Sequence, residues 1–333
     1  MKRFLLTVTA CMMAASIQTP SAWAEEEEII YDGSEIPAAV ESIYLKGLQY
    51  LLKSQNSDGS WPGRYGNQAG PIGVCIISML AHGEDPNFGP YSDAIKNGLD
   101  FILKTADASN GYLGQSMYNH GFATLALAEC YGAVNDDRIG PALTKAVDMI
   151  ITSQKGNSRG GWRYSPSGSD ADSTVSGAQL VALLAARNAG INIPEEAIQR
   201  GIKYLESCQG PDGGIGYTSR GSGNAPRTAI ATTVFAIGKA KDTDAYKKSY
   251  QFLKQLGYTS GSYGYYNLYY SAQAYFHSSM PDFRAWSEQN ARNLQLQQNS
   301  DGSWTGSHGV AFSTGAALLS LALNYRMLPI YER

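Results

Sequence analysis

The sequence predicts an all-α fold in which about six helical hairpins close into a ring, with six charge-poor helices inside and six amphipathic helices outside. Three observations predict it. The stretch Gln55-Asn56-Ser57-Asp58-Gly59-Ser60-Trp61 returns letter for letter at Gln298 to Trp304. Weaker copies fill the chain between them at intervals of about 50 residues, a period typical of helical-hairpin arrays. The first and last copies are the best formed, whereas an open solenoid ends in atypical polar repeats, so the array is expected to close on itself.

In chain order, residues 1–24 read as a signal peptide. Met1-Lys2-Arg3 is basic, Phe4 to Ile17 is largely apolar, and Ala22-Trp23-Ala24 supplies small residues at a cleavage site. An exported, periplasmic or extracellular protein follows from it. An alternative takes Val8-Thr9-Ala10-Cys11 as a lipid-attachment site, anchoring the chain through Cys11; Pro20 and the abrupt acidic run after Ala24 favour ordinary cleavage. The apolar part is too short and too interrupted for a membrane span of about 20 residues. Residues 25–39 form an acidic leader, and 40–333 the ring.

From Ser42 to Ser54, Tyr44, Leu45, Leu48, Leu51 and Leu52 recur at helical spacing, and Ile72 to Leu80 is apolar nearly all round. That pair, an amphipathic helix, a Gly-aromatic turn and a buried helix, recurs. The turns are Asn110-Gly111-Tyr112, Gly161-Trp162, Gly213 to Tyr217 and Gly261-Ser262-Tyr263, and the last pair ends in Gly309 to Leu323. Pro141 and Pro194 fall near the starts of amphipathic helices, and no stretch is long enough to divide domains.

The net charge is −3, the pI is near 5.8, and no basic face is clustered, which excludes a nucleic-acid partner. Outside the signal the cysteines are Cys75, Cys130 and Cys208. An odd number allows at most one internal disulfide, so the core and not a disulfide framework must hold the fold.

Gln-x-x-x-Gly-x-Trp turns in a chain of helical hairpins resemble the repeats of squalene-hopene and oxidosqualene cyclases and of protein prenyltransferase β subunits. This is the prenyltransferase/squalene-oxidase repeat superfamily of α/α toroids, or α6/α6 barrels. The resemblance covers residues from about Val40 onwards. It implies a central cavity for a small hydrophobic or polymeric ligand. In squalene-type cyclases that cavity lies between two helical domains, so a dimer or a partner domain would have to complete it here.

Inner-helix starts would converge on one mouth of such a ring, where N–H groups are free and negative charge is favoured. Asp170-Ala171-Asp172-Ser173-Thr174 lies there and resembles the Asp-x-Asp-Asp-Thr motif of squalene-hopene-type cyclases. The resemblance implies Asp172 as the acid that protonates an alkene, with Asp170 beside it; the last Asp of that motif is Ser173 here. Capping of an inner helix by Asp172 and Ser173 is the competing reading. His120 and His308 stand at other helix starts, as functional groups or as hydrogen-bonded structural residues. Tyr265, Tyr266, Tyr269 and Tyr270, with Trp162, offer aromatic faces for a carbocation or a sugar, or else a core stripe. Arg227 suits a phosphate, a sulfate or a uronate, or a salt bridge to Asp170 or Asp172. His82 and His277 follow inner helices and read as surface residues.

The resemblance to prenyltransferases implies no zinc, because their Asp-x-Cys pair is absent, and the Gly-Cys-Gly-Glu-Gln of thioester toroids is absent too. No cofactor is expected. The leading reading is an exported terpenoid-cyclase-like isomerase on a polyprenyl substrate. The alternatives are a noncatalytic polymer- or protein-binding toroid and a polysaccharide lyase-like enzyme using Arg227, His120 and a tyrosine.

Overall fold

The computed structural model describes residues 36–259 and 263–331. The signal peptide, Cys11 and most of the acidic leader lie outside the described residues. Twelve α-helices make up the described fold, with no strand among them. The outer helices are α1 (Ala38–Ser54), α3 (Ser92–Thr105), α5 (Ile139–Lys155), α7 (Glu195–Ser207), α9 (Asp244–Leu256) and α11 (Met280–Gln297). The inner ones are α2 (Ala69–Leu80), α4 (Met117–Cys130), α6 (Ser173–Asn188), α8 (Ala225–Ile237), α10 (Gly264–Ser278) and α12 (Val310–Ala322). Each inner helix packs on the next, and α12 packs on α2, so the ring is closed as an α/α toroid. No helix among the described residues is long and apolar enough to cross a membrane.

The twin heptapeptides are fasteners. Gln55 Nε2 donates to Gly59 O within its own turn and, at 2.9 Å, to Ala94 O at the start of the next outer helix. Trp61 Nε1 donates back to Leu51 O, and the ring is buried. Gln298 and Trp304 repeat every one of these bonds, to Gly302 O, Ile43 O and Leu294 O. The bond from Gln298 to Ile43 joins the last outer helix to the first and seals the ring. Glycine is obligatory in these turns: Gly59 and Gly302 have φ of 89° and 92°, and a Cβ would come within 2.1 and 2.2 Å of Asn97 O and Lys46 O. Gln154 and Gln209 make the same two-way link, to Ala197 O and Ala245 O.

The axis of the ring is filled. Phe122 on α4 meets Tyr269 on α10, the inner helix opposite, with ring centroids 6.4 Å apart, and Tyr270 packs on Tyr269 at 4.6 Å. The cavity expected at the centre is therefore displaced to one mouth. Cys75, Cys130 and Cys208 are buried and unpaired. His277 and His82 differ from their expected surface placement. His277 is 2% exposed, and His82 is tucked between Glu41 and Glu84 at 3.4 Å from each, because each imidazole sits at an inner-helix end that neighbouring elements cover.

Candidate functional site

All six inner helices start at the same mouth, and their first turns line a cleft of about 610 Å³. The mouth is shaped by the repeat turns. The carbonyl of Tyr164, two residues past the turn tryptophan Trp162, accepts from Met117 N at the start of α4, and the carbonyl of Tyr217 accepts from Ser173 N at the start of α6. Each turn thus caps the preceding inner helix, and capping places the two tyrosine rings at the cleft, where their hydroxyls bond to each other. Tyr118, Phe122, Tyr266 and Phe312 add further aromatic surface, and Gln68, Asn119 and Asn224 add amides. No Asp or Glu lines the cleft among the described residues.

Asp172 lies directly behind this wall, with no exposed surface. As N-cap of α6 its Oδ1 accepts from Thr174 N at 2.9 Å, Val175 N at 2.8 Å and Thr174 Oγ1 at 2.7 Å. Its other oxygen, Oδ2, is buried without a hydrogen-bond partner and faces Arg163 Nη1 at 3.6 Å. Burial raises its pKa above the ordinary aspartate value; the bonds to Oδ1 and the Arg163 guanidinium oppose the rise without cancelling it. Thr174 in turn accepts from Tyr118 OH, which lines the cleft, so a chain of hydroxyls links cleft and carboxyl. Capping and a raised pKa coexist in one side chain. Asp170 is exposed, and its carboxylate stands 3.6 Å from Arg163 Nε. Ser173, where the cyclase-type motif has a third Asp, donates to Gly216 O at 2.8 Å; a carboxylate there would meet a carbonyl oxygen instead of bonding to it.

The other expected site residues separate cleanly. Arg227, Tyr266 and His308 line the cleft. Arg227 makes no ion pair to either aspartate, because Arg163 occupies that place; its Nε and Nη2 donate to Asn224 Oδ1 and Ser222 O. Burial and the nearby Arg64 push the His308 pKa down, favouring the neutral ring. Tyr265 faces a small side pocket, and its hydroxyl bonds to Gln297. Tyr269 and Tyr270 belong to the buried plug, not to the lining. Trp162 is a turn fastener, donating to Ile150 O like its counterparts.

His120 is also outside the lining. Its Nδ1 accepts from Leu113 N at 3.0 Å and its Nε2 donates to Ala146 O at 3.0 Å, which fixes one neutral tautomer, and burial holds its pKa down at about 4. Leu113 N corresponds to Trp162 N, Ile215 N and Trp304 N, which bond to Ser176, Thr228 and Thr314. Ala146 O corresponds to Ala94 O and Ala197 O, the targets of Gln55 and Gln154. The second repeat has Ala106 in place of the glutamine, and His120 does both jobs. Tyr118, Tyr164 and Tyr217 escaped sequence reasoning, although Tyr164 and Tyr217 share one repeat position two residues beyond the turn hydrophobe.

The probable squalene–hopene cyclase of Sinorhizobium fredii (strain NBRC 101917 / NGR234) is 28% identical over 145 residues, 41% of this chain and 22% of that protein. The match thus spans about a fifth of that relative's length. A variant of the type II terpene cyclase MstE from Scytonema, bound to geranylgeranyl dihydroxybenzoate, superimposes with a TM-score of 0.62 at 16% identity, covering 87% of this chain and 98% of that one. The α-1,6-mannanase GH76A of Salegentibacter sp. HEL1_6 gives 0.62 at 12% identity over 86% and 99%. These similarities establish a squalene-cyclase-like, terpenoid-cyclase-like toroid. A family described as a domain of unknown function (DUF6288) matches residues 41–331, and the chain belongs to that family.

Proposed function

We propose that this protein is a terpenoid-cyclase-like enzyme in which Asp172 protonates an alkene of a polyprenyl substrate held in the mouth cleft. The observation that carries the reading is the Asp172 carboxyl itself: buried, raised in pKa, with Oδ1 fully bonded and Oδ2 accepting no hydrogen bond, behind an aromatic cleft. In the step, the Oδ2–H bond breaks and the alkene π pair forms the new C–H bond, leaving a carbocation on the adjacent carbon. The carboxylate left behind is stabilised by two backbone N–H groups at a helix N-terminus and by Arg163, all in place beforehand. Faces of Tyr118, Phe122, Tyr266 and Phe312 suit a cation by cation–π attraction. A second double bond of the chain then supplies the electron pair that closes the ring, and the cation this leaves on that bond's other carbon loses a neighbouring proton to water, giving a neutral cyclic isomer. Because Asp172 has no exposed surface, side chains of the cleft wall must move before the substrate reaches it.

Glycoside hydrolysis is disfavoured by the cleft, since that chemistry uses two carboxylic groups flanking the bond and none lines it among the described residues. Export, read from the amino terminus, remains part of the proposal. The experiment is incubation of the purified protein with squalene and shorter linear isoprenoids in deuterated buffer. A cyclic product carrying one solvent deuteron is expected from the wild type and none from Asp172→Asn. Absence of product from every isoprenoid would sink the reading and leave a noncatalytic binding toroid.

A further inference from the structure

We infer that the ligand of this cleft carries an oxyanion at one end of its apolar chain and that Arg227 seats it; the isoprenoid nature of the chain rests on the function proposed above. Arg227 is the one guanidinium among the residues lining the cleft. Its orientation is fixed by neutral acceptors, Asn224 Oδ1 at 2.9 Å and Ser222 O at 3.1 Å, on the rigid first turn of α8. Asp170 and Asp172 are both turned to Arg163 instead. A positive charge facing a cavity without a carboxylate on its lining is a ready partner for an anion.

The rest of the cleft is unlike that end. Phe122, Phe312 and Tyr266 line it with aromatic surface that suits an apolar chain and offers nothing to an anion. One cationic end and one aromatic end fit an amphiphile whose head is a carboxylate or a phosphate, and both heads share the oxygens that a guanidinium fork recognises.

The test is equilibrium binding of farnesoic acid, farnesyl phosphate and farnesol to the wild type, Arg227→Gln and Arg227→Lys, with folding of each variant checked by circular dichroism. The wild type is expected to bind at least one of the two anions about tenfold or more tightly than the neutral alcohol. Arg227→Gln should erase that preference, so that the anions bind no more tightly than farnesol, and Arg227→Lys should keep part of it. Farnesol binding as tightly as both anions, or a folded Arg227→Gln that retains the preference, overturns the inference. Binding needs no turnover. An anion preference retained in Asp172→Asn, with no cyclisation by the wild type, would remove the cyclase reading and leave this one standing.

Discussion

His120 and Asp172 begin neighbouring inner helices, both wholly buried, and they differ in one respect that separates structure from chemistry. Both nitrogens of His120 are engaged, one by a turn N–H and the other by the next outer helix. Only one oxygen of Asp172 is hydrogen-bonded, while the other is buried with no hydrogen bond and only the Arg163 guanidinium 3.6 Å away. A satisfied buried group contributes to stability, whereas an unsatisfied one costs stability and persists where it has a task. Burial alone would have ranked them equally.

The largest expected effect lies at Asp172. In Asp172→Asn, turnover of an isoprenoid should fall by about 100-fold to 10,000-fold, the range for loss of a general acid. Its melting temperature should hold or rise, since Asn caps a helix about as well as Asp. His120→Ala should do the reverse. It leaves Leu113 N–H and Ala146 C=O buried without partners, at about 1–3 kcal/mol each, so denaturant unfolding should show a loss of roughly 3 kcal/mol while ligand binding by the folded protein is unchanged. A stable His120→Ala protein that has lost its ligand would reverse the assignment of the two residues.

Acid sharpens the contrast because the two groups titrate with opposite sign. For His120 the folded pKa, about 4, lies below the ordinary 6.5, so the unfolded chain binds more protons between them. Its contribution is complete above about 6.5 and is lost as pH falls towards 4, by up to about 3 kcal/mol. His120→Gln should flatten that part of the stability–pH profile. Asp172 is raised, so its contribution is present below the ordinary 3.8 and is lost as pH rises through its folded value. The smallest effect belongs to the fasteners. Gln298→Ala removes two hydrogen bonds at the ring seam and should cost about 1–2 kcal/mol in denaturant unfolding, with turnover retained.

Much of the fold was legible because the repeat writes its hydrogen bonds into the sequence: Gln, Gly and Trp each have one task, and the task recurs. The site was legible where a residue's place in the repeat decides its direction. Asp172, Arg227, His308 and Tyr266 were found as first-turn residues of inner helices. Tyr269 and Tyr270 were misjudged because, three and four residues on from Tyr266, they share its face of the helix but lie about one turn deeper, below the mouth and in the filled axis. His120 looked functional in isolation. The absence of glutamine at Ala106 was the sign that a side chain from elsewhere in the second repeat had to close that seam. Tyr164 and Tyr217 lay in irregular turns, where periodicity says nothing; only the capping bonds made by their carbonyls fix where the rings go.

Burial raises the Asp172 carboxyl pKa, and its Oδ2 accepts no hydrogen bond. Carboxyl carbon NMR of selectively labelled protein, with Asp172→Asn used to assign the resonance, tests the raised pKa directly. A titration midpoint above the ordinary 3.8 is expected. A midpoint at or below that value would mean that Arg163 and the capping bonds dominate, and Asp172 would then be a helix cap and nothing more.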